Sequence, residues 1–153
     1  MKAANIFKYE NRLAKTVVKK GGMSAQEAIA SAEARVEQVR EPTLTDIDRA
    51  LQEILRLGEA QRRGVAPDLL ARMYDEANRI VAVGGVFGLG QLGEAAYSLC
   101  ELIHRFQTAG RFSWPMVEVH LDGLKLLRHP DDHAEAHRAQ VLSGLRQVAA
   151  SVS

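Results

Sequence analysis

Every long segment of this chain repeats apolar residues at helical spacing, and none sustains the alternation of a half-buried strand, so the sequence predicts an all-α fold. Helix punctuation divides the chain into six predicted helices. Ser24 and Glu27 have the spacing of a capping box and open a helix over residues 24–41, which Pro42 is expected to close near Glu41. Its apolar stripe of Ile29, Ala32, Val36 and Val39 is narrow, which predicts an accessory helix lying on the main bundle. Thr43 or Thr45 can cap the next helix, where Ile47, Leu51, Ile54, Leu55 and Gly58 share a face that ends at Arg62-Arg63-Gly64.

Pro67-Asp68 suits the first turn of a third helix, whose buried side is traced by Leu70, Met73, Ala77, Ile80, Val81 and Gly84. The broadest apolar face is expected over residues 90–108, with Leu92, Ala95, Ala96, Leu99, Leu102, Ile103 and Phe106, and Gly110 ends it. Ser113 is read as the cap of the following helix, Pro115 sits where its missing N–H costs little, and Val117, Leu121, Leu124 and Leu127 form the inward face. A sixth helix, over about residues 131–150, carries Val141, Leu142, Leu145 and Val148.

The junction after the third predicted helix reads Asn78-Arg79-Ile80-Val81-Ala82-Val83-Gly84-Gly85-Val86-Phe87-Gly88-Leu89. It resembles the histidine phosphotransfer (Hpt) family, in which His-x-x-Lys-Gly precedes small residues and Phe-Gly-Leu. Gly85, Phe87, Gly88 and Leu89 agree with the pattern, while Asn78 stands at the histidine's position, Val81 at the lysine's and Ala82 at the glycine's. The resemblance covers about residues 67–128. It implies an antiparallel four-helix bundle over residues 45–128, with additional N-terminal and C-terminal helices.

The substitutions remove the chemistry. An imidazole nitrogen has a lone pair that can take a phosphoryl group, whereas the nitrogen of the Asn78 carboxamide has its lone pair delocalised into the carbonyl. Val81 also removes the positive charge that phosphoryl transfer depends on. Ala82 is nearly as small as glycine, so a partner surface can still approach. The resemblance thus implies a degenerate module, a pseudo-phosphotransferase without enzymatic activity or cofactor. Its partner would be a response-regulator receiver domain or a histidine-kinase pathway protein of two-component or chemotaxis signalling. Asp75, Asn78, Arg79, Val81, Ala82 and Gly85 would form the docking face, with Val81 also able to turn partly into the core.

At 153 residues, with 46% apolar and 25% charged residues, the chain fits one helical domain over residues 23–153. Residues 1–22 form a basic arm in which Lys2, Lys8, Arg12, Lys15, Lys19 and Lys20 oppose Glu10 alone, a net +5; the other residues carry −4 to reach the chain's +1. The arm is read as a solvated tail, in preference to a contact for nucleic acid, anionic lipid or an acidic protein. No apolar run is long enough for membrane insertion and no signal core precedes a cleavage site, which predicts a cytoplasmic protein. Cys100 is read as a small core residue.

Two other readings follow from the residues themselves. His129, His133 and His137 recur every four residues, so His133 and His137 could make a helical metal site with Asp131 or Asp132 adding an oxygen ligand. A solvated helix start is the commoner use of such a pattern. Alternatively, a Leu-rich surface is completed by self-association, giving a structural homo-oligomer. His120, followed by Gly123 and Lys125, has the wrong order for a substitute phosphate acceptor and is read as a packing histidine, and His104 as a boundary residue. Phosphate-cradling Gly-x-x-x-x-Gly-Lys, nucleophile-elbow and Cys-x-x-Cys motifs are absent.

Overall fold

The computed structural model describes residues 22–64, 67–129 and 134–152. Among them are five α-helices and no strand: α1 (Ala25–Arg62), α2 (Pro67–Gly84), α3 (Gly90–Ala109), α4 (Trp114–Arg128) and α5 (Glu135–Ala150). None is long and apolar enough to cross a membrane. The chain divides into two units, Met1–Val39 and Arg40–Ser153. The basic arm lies outside the described residues, apart from Gly22.

In the first unit, the capping box forms as its spacing requires. The Glu27 carboxylate accepts from the Ser24 backbone N–H at 2.7 Å, and the Ser24 hydroxyl accepts from the Glu27 N–H at 3.2 Å. The bond to the Ser24 backbone N–H holds the Glu27 carboxyl below its ordinary pKa, with the Ser24 side chain adding to the effect. Ile29, Val36 and Val39 are all exposed.

Pro42 corrects the expectation of two separate helices, because α1 continues through it. Proline removes the N–H that would bond the Gln38 carbonyl. Gln38 is exposed, so water can solvate the freed oxygen, and the loss is one helical bond with no buried polar group stranded. One turn on, the Thr45 hydroxyl donates to the Glu41 carbonyl at 2.9 Å.

The second unit is built around α3, which lies against α2, α4 and α5. Cross-helix contacts give the directions. The Cys100 thiol meets the Tyr74 carbonyl and Gly93 meets Gly84, so α2 and α3 are antiparallel. Glu53 bonds Arg72 at 2.8 Å, joining α1 to α2. Asp48 takes both a 2.6 Å and a 3.0 Å bond from the Arg128 guanidinium, and Gly58 packs beside Leu121 and Trp114, so α1 also lies along α4. By contrast, α5 runs with α3: Gln91 meets Glu135 and Arg138, Glu94 pairs with Arg146, and Arg105 donates to the Val152 carbonyl.

The predicted stripes form the core. Ile47, Leu51 and Ile54 of α1, Met73, Ala77 and Ile80 of α2, and Leu92, Leu99, Leu102 and Ile103 of α3 are buried together, joined by Val117, Leu124 and Leu127 of α4 and Leu142 and Leu145 of α5. Gly110 adopts φ +62° and donates its N–H to the Phe106 carbonyl, closing α3 as its position predicts. Ser113 stands at the start of α4, but its side chain makes no capping bond.

The α2–α3 turn depends on its glycines. Gly88 has φ +77°, the left-handed region that a side chain disfavours, which explains the glycine between Phe87 and the buried Leu89. A Cβ on Gly84 would lie 2.9 Å from the Gly93 Cα and 3.2 Å from the Leu89 carbonyl oxygen, both rigid backbone atoms. Gly84→Ala is therefore expected to destabilise the fold by about 1–3 kcal/mol through overpacking. Gly85→Ala, with nothing within 4 Å, should change stability by less than about 0.5 kcal/mol. Denaturant unfolding of the two variants checks the contrast.

Candidate functional site

Helical periodicity turns Met73, Ala77, Ile80 and Gly84 of α2 inward, which leaves Asp75, Asn78, Arg79, Ala82 and Gly85 exposed along the opposite side. Val81 stands between the two sets, half-buried and packed against the core. The six residues expected to form the docking face therefore lie on or just beyond one helix, five at the surface and one turned partly inward. Asn78 is well inside the helix, with more than one turn on either side.

This ridge carries little organised charge of its own. Arg79 pairs with Glu76 at 2.9 Å, so its guanidinium is engaged within the helix. Asp75 has no cationic partner among the described residues, and lies near enough to Cys100 to influence it. Burial pushes the Cys100 thiol up to about 11, with the Asp75 charge adding to the effect. That thiol stays protonated at neutral pH and is a packing group, as its apolar setting predicts.

A depression flanks the ridge on each side. Between α1 and α2 lies a cleft of about 290 Å³, where Thr43, Asp46 and Ala50 face Arg79, Ala82 and Val83. Over α3 lies a groove of about 740 Å³, bounded by Val81 and Gly85 on one side, by Arg146 of α5 on the other, and floored by Gly93, Glu94 and Tyr97. Tyr97 is 61% exposed in a chain of only 5% aromatic residues. The periodicity of the sequence gives no sign of this groove. A local signal exists, since Tyr97 is an aromatic residue on the face of α3 opposite its apolar stripe, but it comes to line one groove with Val81 only when α2 and α3 pack.

Beneath the groove is a buried polar pair. His120 is fully enclosed, its Nδ1 lies 2.8 Å from the Met116 carbonyl oxygen, and its Nε2 lies 3.0 Å from the hydroxyl of Ser98, itself 2% exposed. A carbonyl can only accept, so Nδ1 carries the proton; Nε2 then accepts from the Ser98 hydroxyl. Both ring nitrogens are engaged and neither reaches solvent. His120 is thus a satisfied core histidine, in agreement with its reading as a packing residue.

The remaining histidines are dispersed. His104 and His129 are exposed, His137 is exposed on α5, and His133 lies outside the described residues together with Asp131 and Asp132. Among the described residues, no group of three His, Cys, Asp or Glu side chains is placed to hold a metal ion. No protein-family model, curated protein or solved structure matches the chain.

Burial lowers the His120 pKa below its ordinary 6.5, opposed by the bond to Met116. The folded protein therefore keeps this ring neutral to lower pH than the unfolded chain does, and unfolding takes up a proton in that window. The associated stability is fully present above about pH 6.5 and is lost as the pH falls towards the lowered folded value. The expected slope is at most about 1.4 kcal/mol per pH unit, the contribution of one proton. Unfolding free energies from about pH 7 to about pH 5 should show this slope in the wild type and lack it in a Ser98→Ala, His120→Leu double variant.

Proposed function

We propose that this chain is a non-catalytic Hpt-like module that binds a response-regulator receiver domain, or a related histidine-kinase pathway protein, in cytoplasmic two-component or chemotaxis signalling. The observation that carries the reading is the exposure of Asn78 on α2, at the position the resemblance assigns to the phosphate-accepting histidine. Asp75, Arg79, Ala82 and Gly85 surround it at the surface, and Phe87-Gly88-Leu89 follows at the family's spacing. In this reading α1 from about residue 45, together with α2, α3 and α4, makes an antiparallel four-helix bundle. The alternation of direction between α2 and α3, and the contacts of α1 with both α2 and α4, support that arrangement.

Docking and transfer make separate physical demands. Transfer needs a nucleophilic nitrogen and a positive charge beside the phosphoryl group, and Asn78 with Val81 supplies neither. Docking needs an accessible surface with apolar contacts ringed by polar ones. Ala82 and Gly85 keep the ridge low, while Asp75, Asn78 and Arg79 supply polar edges. A module of this kind competes with active phosphotransfer domains for a shared regulator, or holds that regulator in place.

Two measurements test the proposal. Incubated with a phosphorylated receiver domain or an active histidine kinase, the purified chain is expected to acquire no phosphate; a stable phosphoryl group on it would overturn the inert-site reading. In calorimetric titrations against a panel of purified receiver domains, Asn78→Arg should weaken binding by roughly tenfold or more. The substitution is at an exposed position, so its unfolding midpoint should match the wild type. Unchanged affinity would place the interface elsewhere.

A further inference from the structure

Half of the large apolar side chains that the described residues leave in water lie in the first unit: Met23, Ile29, Val36 and Val39 are four of eight. From Gly22 to Pro42 every residue except Ser31 is exposed, so this length of α1 has no packed face. Ile29, Ala32, Val36 and Val39 recur at intervals of three and four, which aligns them in one stripe along the helix. Arg35 borders one edge of the stripe, Glu33 and Arg40 the other, and Glu27 and Glu37 fall on the opposite half.

Residues 1–21, immediately before this helix, lie outside the described residues, and their sequence is amphipathic at the same period. Ile6, Leu13 and Val17 share one spacing, and Phe7, Ala14 and Val18 repeat it one residue on. At 3.6 residues per turn the two rows together make one apolar half. Lys8, Arg12, Lys15 and Lys19 follow at intervals of four, three and four, which gathers them on the other half. Glu10, the one acidic residue of the arm, interrupts the first apolar row. Charge alone suits a solvated tail, whereas a basic row set against two apolar rows is the pattern of a helix that lies in a membrane interface.

We propose that the first unit is a site for anionic phospholipid bilayers, the arm lying as a basic amphipathic helix in the headgroup plane and Ile29, Val36 and Val39 adding apolar contact. The arm's net +5 supplies the attraction, and the apolar rows hold the contact once charge has brought it there. Two other occupants fit less well. A nucleic acid would satisfy the cations but offers no apolar phase for Ile6, Phe7 and Leu13. A second copy paired in parallel through the stripe would set Arg35 of one chain against Arg40 of the other. On a bilayer the same arginines stand at the edges of the stripe, where their stems cover apolar surface and their guanidinium groups meet lipid phosphates. No helix among the described residues is long and apolar enough to cross a membrane, so the contact is interfacial. It is independent of docking on α2.

The test is co-sedimentation of the full chain with vesicles of phosphatidylcholine, alone or mixed with phosphatidylserine. The chain should bind the anionic vesicles at least about tenfold more tightly than the neutral ones, and the difference should shrink as salt is raised. Lys8→Gln, Arg12→Gln, Lys15→Gln and Lys19→Gln together should weaken binding by about 100-fold or more. Leu13→Gln with Val17→Gln, which leaves the basic row intact, should weaken it by about tenfold, and Ile29→Gln with Val36→Gln by about threefold or more. Glu10→Ala should tighten it. Matched thermal unfolding of the variants separates lost contact from lost fold. Equal binding to both vesicle types, or binding to neither, overturns the proposal. So does unchanged affinity in Leu13→Gln with Val17→Gln, which would leave a charge contact without an apolar one, and so does tighter binding to a DNA duplex than to the anionic vesicles. If Ile29→Gln with Val36→Gln instead halves the mass in solution and leaves vesicle binding unchanged, the stripe joins two copies and its part in the lipid contact is overturned.

Discussion

The contact between Gly84 and Gly93 determines how closely α2 and α3 can pass, and much of the surface chemistry depends on that distance. With no side chain on either residue, the two backbones meet just before and just after a short turn whose own geometry requires Gly88. Close passage buries Met73, Ala77 and Ile80 against α3 and leaves the opposite face of α2 in water. It also sets Val81 and Tyr97 in the lining of one groove. A bulkier residue at Gly84 would push the helices apart where the exposed ridge meets the groove, so a core constraint and the character of the candidate site are coupled through one glycine.

A second constraint lies deeper, between α3 and α4. Ser98 and His120 form a polar pair inside an otherwise apolar layer, and each has a defined role: the hydroxyl donates to Nε2, and Nδ1–H donates to the Met116 carbonyl. Buried polar groups are costly when unpaired and restrictive when satisfied, because only one helix register supplies all the partners. Sliding α4 along α3 by a turn would separate Ser98 from His120. The leucines of both helices, being less directional, would tolerate a shift more readily. The pair thus fixes a register that apolar packing alone leaves loose.

Much of this architecture is legible from local patterns. The stripes through Leu92 to Phe106 and through Val117 to Leu127 follow from periodicity, Gly110 ends its helix for the reason its type suggests, and Ser24 with Glu27 forms the expected cap. Pro42 is misleading, because its local penalty is one helical bond and the residue whose carbonyl loses that bond, Gln38, is exposed, so the helix continues through it. Ser98 gives no warning of its role, since its partner is 22 residues away and a mid-helix serine has many uses. Tyr97 is legible only as an aromatic residue on the polar face of α3. Its neighbours Val81 and Gly85 lie on or just beyond another helix, so the groove exists only as a consequence of tertiary packing.

The Asn78 surface illustrates why binding can persist without reactivity in the proposed reading. A carboxamide retains a hydrogen-bond donor and an acceptor and is smaller than an imidazole, so a surface that tolerates histidine need not reject asparagine on steric grounds. What disappears is the unshared pair that attacks phosphorus, and with Val81 the charge that would stabilise the transferring group. Neither loss alters the ridge on which a partner rests. Val81 packs against the core and lines the groove that Tyr97 also lines; in the proposed reading it stands where a lysine would bring a solvated ammonium group. In that reading, the residue that removes the charge needed for transfer also leaves the neighbouring groove more apolar, so the one position bears on both reactivity and contact.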